Sequence, residues 1–505
     1  MLRGKILFLG GDQVYPTASR EAYDDRFIGP FEEAYHPLGG TQQWKRGAQD
    51  LYAIPGNHDW YDGLNSFFGL FCRRRVKPSL GIGFNRDGRV IAGRQTHQTR
   101  SYFAVQLPGK WWLWGTDSQL AGYIDQPQID YFRHVARYWM EPGSKLILCI
   151  GQPSWAYVDP NDPKPAFDNF SYLERLAEAE VDDQKNSMGH QLKLVLTGDS
   201  HHYSRFTEDD RHYITCGGGG AFLHPTHHLK NKAFQWEFPP PGEPYRRGTS
   251  YRRAFQMATS QSGEEALYPS RSRSRLLTFW NLAFAGINHW FTLTLAITYF
   301  LFHWVLDFNA RLMVRGPLGT AQHEVGSRSL GTSLRDGSLG DSMIAYWNLA
   351  LVSPSAAILI LIALGGYYYA ADAPHGWKRL LMGGGHALAQ AVVVTATTCF
   401  VIRTLPDMAT GWEILAAAIV AAVVSATTYG LYLLTSLLVF KRHWNEGFSS
   451  FAHRGYKSML RMKISRDGKL AVYPIGLDRV PSDRRNSSRN SQLNPHLIEG
   501  PVIIS

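Results

Sequence analysis

Short apolar runs, each closed by glycine and then by aspartate, asparagine or histidine, recur through the first half of this chain. Ile6–Leu9 leads into Gly10-Gly11-Asp12. Leu51–Ile54 leads into Pro55-Gly56-Asn57-His58-Asp59. The run at 192–197 leads into Gly198-Asp199-Ser200-His201-His202. β-prone runs bounded by Gly or Pro predict strands. Further strands are predicted at 101–107 and 111–117, paired around Pro108-Gly109, and at 145–150 and 212–216. Helical spacing appears at 126–140 and at 171–181, where Leu173, Leu176 and Ala177 share one side. Strands alternating with helices predict a layered α/β core. The connection 13–50 is too long for a plain loop and is expected to hold helix and to shape an entrance.

The second half has a different pattern. Four segments, near 277–305, 344–370, 380–402 and 414–440, are long and apolar enough to cross a bilayer, which takes about 20 residues. The first carries Asn281, Asn288 and His289, so it is expected to face other helices. The last contains no charge and repeats Ala418, Ala422, Ala426 and Gly430 every four residues. Small residues on one ridge let helices approach closely in lipid. Arg271, Arg273 and Arg275 precede the first span, Lys378-Arg379 the third, and Lys441-Arg442-His443 follow the fourth. The positive-inside rule then places the soluble parts in the cytoplasm, with Arg311 and Arg315 against it. An even count of spans returns both soluble ends to one side. The loop 316–341 is rich in Gly and Ser and is expected to be flexible. Residues 458–464 and 469–475 flank Asp467-Gly468 as a hairpin. The polar stretch from Pro481 to Asn494 is expected to be disordered. The predicted organisation is an α/β domain at 1–228, a basic Pro-rich linker at 229–275 that includes Pro239-Pro240-Pro241, a four-helix transmembrane region at 276–440, and a small hairpin with its tail at 441–505.

Charge adds a second argument for a membrane. The 505 residues carry 52 Lys+Arg against 42 Asp+Glu, a formal +10. Nucleic acid is not an expected partner, because no nucleic-acid module is present. The basic residues gather beside the apolar spans, as at a lipid surface. Arg73-Arg74-Arg75 with Lys77 reads as a solvated face, a phosphate or lipid contact being the alternative. Cys72, Cys149, Cys216 and Cys399 lie far apart and form no disulfide framework, and Cys149 reads as a small buried hydrophobe. The start of the chain has no signal-peptide pattern.

Carboxylate, amide and imidazole groups at strand carboxyl ends occupy the place where α/β sheets bind ligands, and this donor mixture suits Mn, Fe, Zn or Mg. Gly11-Asp12, Gly56-Asn57-His58-Asp59 and Gly198-Asp199-Ser200-His201, in that order, resemble the calcineurin-like metallophosphoesterase superfamily across about residues 4–228. The resemblance implies a layered β-sandwich with flanking helices. It also implies two divalent metal ions, Asp12 bridging them. Asn57 and Asp199 would bind the second ion, and His201 the first. His58 would protonate the leaving oxygen, and Asp59 would orient the His58 imidazole. The sequence departs from the pattern in three places. The first block, Asp-x-His, is absent, so a strand bearing it is expected ahead of Met1. The middle-strand histidine falls at Gly151, which Gln152 does not replace. Asp199 stands where the first His of Gly-His-x-His belongs. His202 and the cluster His224, His227 and His228 are candidates to fill the gap.

These features lead to an expected multi-pass membrane phosphoesterase, acting on an unidentified phosphoester, with Asp12, Asn57, Asp199 and His201 converging in space. The alternative is a metallophosphoesterase-like domain kept as a membrane scaffold, as the missing ligands suggest. Transport is disfavoured, because the spans lack acidic residues at mid-depth.

Overall fold

The computed structural model describes residues 4–35, 49–72, 75–78, 84–87, 89–118, 124–178, 187–239, 246–312, 328–405, 409–480 and 493–505. Several expected features lie wholly or partly outside them: Arg73 and Arg74, Pro240 and Pro241, residues 36–48, 179–181 and 316–327, and the tail at 481–492. The chain forms two units, Met1–Arg271 with Arg454–Ser505, and Ser272–His453.

The first unit is a mixed α/β structure with several sheets. Its centre is a run of parallel strands: Trp111–Gly115, Lys145–Cys149, Gln191–Thr197 and Arg211–Cys216. Phe103–Gln106 and Tyr203–Glu208 flank it antiparallel. The central strands are covered on both faces, which explains their nearly unbroken apolar sequence: Trp111 to Trp114 and Leu146 to Ile150 are all buried. A second sheet pairs Ile6–Leu9 in parallel with Asp50–Ala53, followed by Arg94–Thr96 and Val90–Ile91. The two sheets touch through Phe103, whose ring centroid is 6.0 Å from that of Phe8 and 4.9 Å from that of Tyr52.

Helix Lys164–Glu178 lays Phe167, Phe170, Leu173 and Leu176 on the large sheet. Beneath it the fully buried Arg253 guanidinium donates to Glu174 Oε2 at 3.0 Å and to Glu208 Oε2 at 2.7 Å, between the rings of Phe167 and Phe255. Burying a charge is tolerable only when it is paired and hydrogen-bonded, and Arg253 meets two carboxylates at once. Residues Arg454–Ser505 belong to this unit. Lys457–Ile464 and Leu470–Leu477 pair antiparallel, as the Asp467-Gly468 turn predicts. Gly468 O accepts from Trp111 Nε1 at 2.9 Å, and the buried Glu499 receives Arg205 Nε at 2.9 Å.

In the second unit three helices, His289–Arg311, Trp377–Thr404 and Thr410–Phe440, are long and apolar enough to cross a membrane. The span expected at 277–305 starts later, at His289, behind three shorter pieces: Arg271–Leu277, Thr278–Ala283 and Phe284–Ile287. Asn281 and Asn288 hold those breaks, donating to Gly447 O at 3.1 Å and to Ser450 O at 2.8 Å. The expected unbroken span at 344–370 is two helices, Leu339–Val352 and Pro354–Ala370, bent by 97°. Pro354 lacks an N–H and forces Ser353 out of helical geometry, so the helix stops there. The small-residue ridge is packed as expected. Ala418, Ala422 and Ala426 are fully buried, and a Cβ on Gly430 would lie 2.1 Å from Asn281 O.

Arg253→Met leaves Glu174 and Glu208 buried together without the cation that hydrogen-bonds both. The unfolding free energy of the full chain at pH 7, followed by tryptophan fluorescence in denaturant, should fall by about 3–5 kcal/mol. Ionised carboxylates cause that loss, so it should shrink as the pH is lowered and they protonate.

Candidate functional site

The ends of two strands approach so closely that only glycine fits between them. A Cβ on Gly198, after the Gln191–Thr197 strand, would lie 2.8 Å from Gly10 O, after the Ile6–Leu9 strand. A Cβ on Gly56 would lie 2.0 Å from Asp12 Oδ1. Both distances are shorter than van der Waals contact, so a side chain at either position would push the segments apart. Asp12 itself takes a left-handed conformation, φ 51°, which Asp adopts more readily than most residues. Its Oδ1 accepts the His58 N–H at 2.9 Å and thereby fixes the Gly56-Asn57-His58 turn against the first strand.

His58 is held on several sides. Its Nδ1 donates to Pro16 O at 2.5 Å, its ring lies 3.7 Å from that of Tyr15, and Tyr61 meets it edge-on at 4.9 Å. The role expected for Asp59 goes to Pro16 instead. Asp59 is fully buried, Oδ2 accepting Gly56 N–H at 2.8 Å and Oδ1 accepting the Tyr23 hydroxyl. Burial raises its carboxyl to about 7 against those bonds. Asp59 therefore shapes the turn that presents Asn57 and His58, and its bonds do not reach the imidazole.

Asp199 and His201 arrive from the other sheet. Burial, then the charge of Asp12, lifts Asp199 to about 6. Asp12 is also raised, chiefly by burial, against the lowering effects of the His58 N–H bond and the His58 charge. The Tyr15 hydroxyl lies 3.5 Å from Asp12 Oδ2 and 3.4 Å from His201 Nε2, bridging the two strand ends. Burial drives His201 down to about 4, so it is neutral at pH 7. Of the histidine cluster, His224 joins the site: its ring stacks on His201 at 4.2 Å and its Nδ1 accepts His201 N–H at 3.2 Å. His228 interacts with His202 and His227. Gly151 also sits at the site, its carbonyl accepting Asp199 N–H at 3.2 Å. Gly151 therefore meets Asp199 through its backbone and offers no side chain there.

The donors fit a divalent cation in kind. Asn57 Oδ1 is buried and has no hydrogen-bond partner among the described residues, and Asp12 and Asp199 bring two carboxylates near each other. Hard oxygen donors with an imidazole match Mn, Fe, Zn or Mg. Among the described residues no group of three or more His, Cys, Asp or Glu side chains is placed to hold a metal ion. The set Asp12, Asn57 and Asp199 draws one donor from an amide.

Three residues at the site carry no signal that the sequence pattern alone reveals. Tyr15 is visible there only as an aromatic three positions after Asp12. Phe222 meets His201 edge-on at 4.8 Å. Lys457 donates to Ala221 O at 2.5 Å and lies close enough to His201 to lower its proton affinity. No local pattern marks a lysine beyond the membrane segments as part of a site formed by residues 12–224.

No family profile matches the chain, and no curated protein does. A solved structure titled "GAP50 the anchor in the inner membrane complex of Plasmodium" aligns with 52% of this chain and 69% of its own, at 9% identity and a TM-score of 0.29. A likeness that loose decides neither fold nor function.

Asp199→Asn tests the electrostatics. At pH 7 the wild-type carboxylate is ionised above its raised folded value, so it opposes folding. Neutralising it should stabilise the chain in the presence of a chelator, on the order of 1–3 kcal/mol. The gain should vanish below the ordinary aspartate range, where both folded and unfolded carboxyls are protonated. Thermal unfolding scans across pH read both effects.

Proposed function

We propose that this chain is a membrane-bound phosphoester hydrolase of the calcineurin-like metallophosphoesterase type, with the layered sandwich of that superfamily. One observation carries the reading. Asp12, His58, Asp199 and His201 come together from separate strand ends, and Asn57, next to His58 in the turn tied to Asp12, has a buried amide oxygen that lacks a hydrogen-bond partner among the described residues. Asp12, Asn57 and Asp199 would hold one divalent cation, and Asp12 with His201 a second. Bound there, such ions would supply positive charge to phosphoryl oxygens and acidify a water.

The remaining work falls to this chain's own side chains. His58 donates Nδ1–H to Pro16 O, so Nε2 is the nitrogen left to exchange a proton with the leaving oxygen. Tyr15 and Tyr61 hold its ring in one orientation, which keeps that nitrogen aimed. The Lys457 ammonium adds positive charge on the His201 side, where an anionic substrate needs it. The apolar helices hold the enzyme at a bilayer. In this proposal they cross it four times, counting the bent pair as one span, with both soluble ends on the cytoplasmic side.

A scaffold without catalysis is the second reading. It rests on Gly151, which supplies a carbonyl bond and no ligand beside Asp199.

The full chain in detergent, given Mn2+ and p-nitrophenyl phosphate or its diester, separates the two. Hydrolysis should be measurable, abolished in Asp12→Ala and reduced about 10²–10⁴-fold in His58→Ala. A wild-type rate equal to that of either variant leaves the scaffold reading standing.

A further inference from the structure

The second unit buries a file of polar side chains among its apolar helices. His386 Nε2 lies 3.2 Å from Gln390 Nε2, which donates to Ser425 O at 3.1 Å. The Tyr299 hydroxyl donates to Ser425 Oγ at 3.1 Å. About one turn along the same helix stands His303, fully buried, its Nε2 3.2 Å from the Tyr346 hydroxyl and 3.2 Å from Thr398 Oγ1. The next turn ends at Asp307, paired with Arg311 at 2.9 Å.

Polar groups between membrane helices often do no more than bond the helices together. Such groups have their partners. Here some do not: His303 Nδ1, Gln390 Oε1 and Thr395 Oγ1 are among the buried atoms without a hydrogen-bond partner among the described residues. Thr395 lies one turn from Thr398 on the same helix, and Gln390 lies beside His386. Unpaired polar atoms in an apolar bundle call for a small group that both donates and accepts, and water has that chemistry. The ionised side chains Asp307, Arg311, Arg335 and Glu413 are matched in pairs, which leaves neutral groups to form the file. Acidic residues at mid-depth are the usual sequence sign of an ion pathway, whereas this file consists of His, Tyr, Thr, Ser and Gln.

We propose that this file conducts protons through the second unit, with His303 as its relay. The imidazole takes a proton at one ring nitrogen and releases one from the other. The hydroxyls of Tyr299, Tyr346 and Thr398 give one up as they accept one. The Gln390 amide does not relay and instead orders a bridging water. The side chains of the file end neutral, each proton that crosses carries one positive charge, and a pH difference across the membrane drives the flow. The proposal is independent of the phosphoesterase reading.

The test uses the full chain in phosphatidylcholine vesicles loaded with a pH-sensitive dye, with potassium and valinomycin holding the potential at zero. After a pH step, vesicles with protein should equilibrate faster than protein-free vesicles, and His303→Leu should lose the added flux. Thr395→Val removes an unpaired hydroxyl from a buried site, so it should slow the flux without lowering thermal stability. A wild-type rate equal to that of empty vesicles overturns the proposal. So does unchanged flux in a His303→Leu variant that elutes as a single folded species. If that variant fails to fold, unchanged flux in Thr395→Val overturns it instead.

Discussion

The close approach of Gly10 to Gly198, with Asp12 lying over Gly56, is the constraint on which the candidate site depends. Here the strand ends of two sheets meet at backbone distance, and a side chain at Gly198 or Gly56 would occupy that space. The approach has an electrostatic consequence. It holds the carboxylates of Asp12 and Asp199 near one another while burial raises both. A fold selected for stability alone has little reason to keep such a pair, whereas a site that binds a cation does. The unpartnered Asn57 oxygen points the same way, since buried amides ordinarily find a hydrogen bond.

Much of the frame is legible in the sequence because strands announce themselves locally. Leu192–Thr197 and Lys145–Cys149 are largely apolar because both faces are covered, and the glycines that follow mark where each strand must stop. The hairpin around Asp467-Gly468 is legible for a similar reason, a turn dipeptide between two β-prone runs. Asp12, Asn57, Asp199 and His201 are legible as an ordered motif. Long-range partners are not. Asp59 is adjacent in sequence to His58, and that proximity suggests a bond between them, yet the short helical turn aims Asp59 back at Gly56 and Tyr23. Phe222 and Lys457 reach the site through tertiary packing that no short window contains, and of the candidate histidine cluster only the packing singles out His224. Pro354 stands in plain view, but the hydropathy of the stretch around it masks the bend that it imposes.

The same reasoning about buried polar groups governs both units. In the first, Arg253 survives burial because Glu174 and Glu208 satisfy it, and Glu499 does the same for Arg205. In the second, Arg335 and Glu413 pair, while His303 is satisfied on one nitrogen only. Complete pairing marks structural ion pairs. Incomplete pairing in a buried place is costly unless another group completes it.

Direct Mn2+ binding to the full chain tests the central claim most simply. The electron paramagnetic resonance signal of the free aqueous ion reports what remains unbound. The account predicts that wild-type chain removes part of that signal, and that Asn57→Leu, which changes no charge, restores it. Undiminished free-ion signal with the wild-type chain, or equal loss with Asn57→Leu, would contradict the assignment of the Asp12, Asn57 and Asp199 convergence as a cation site.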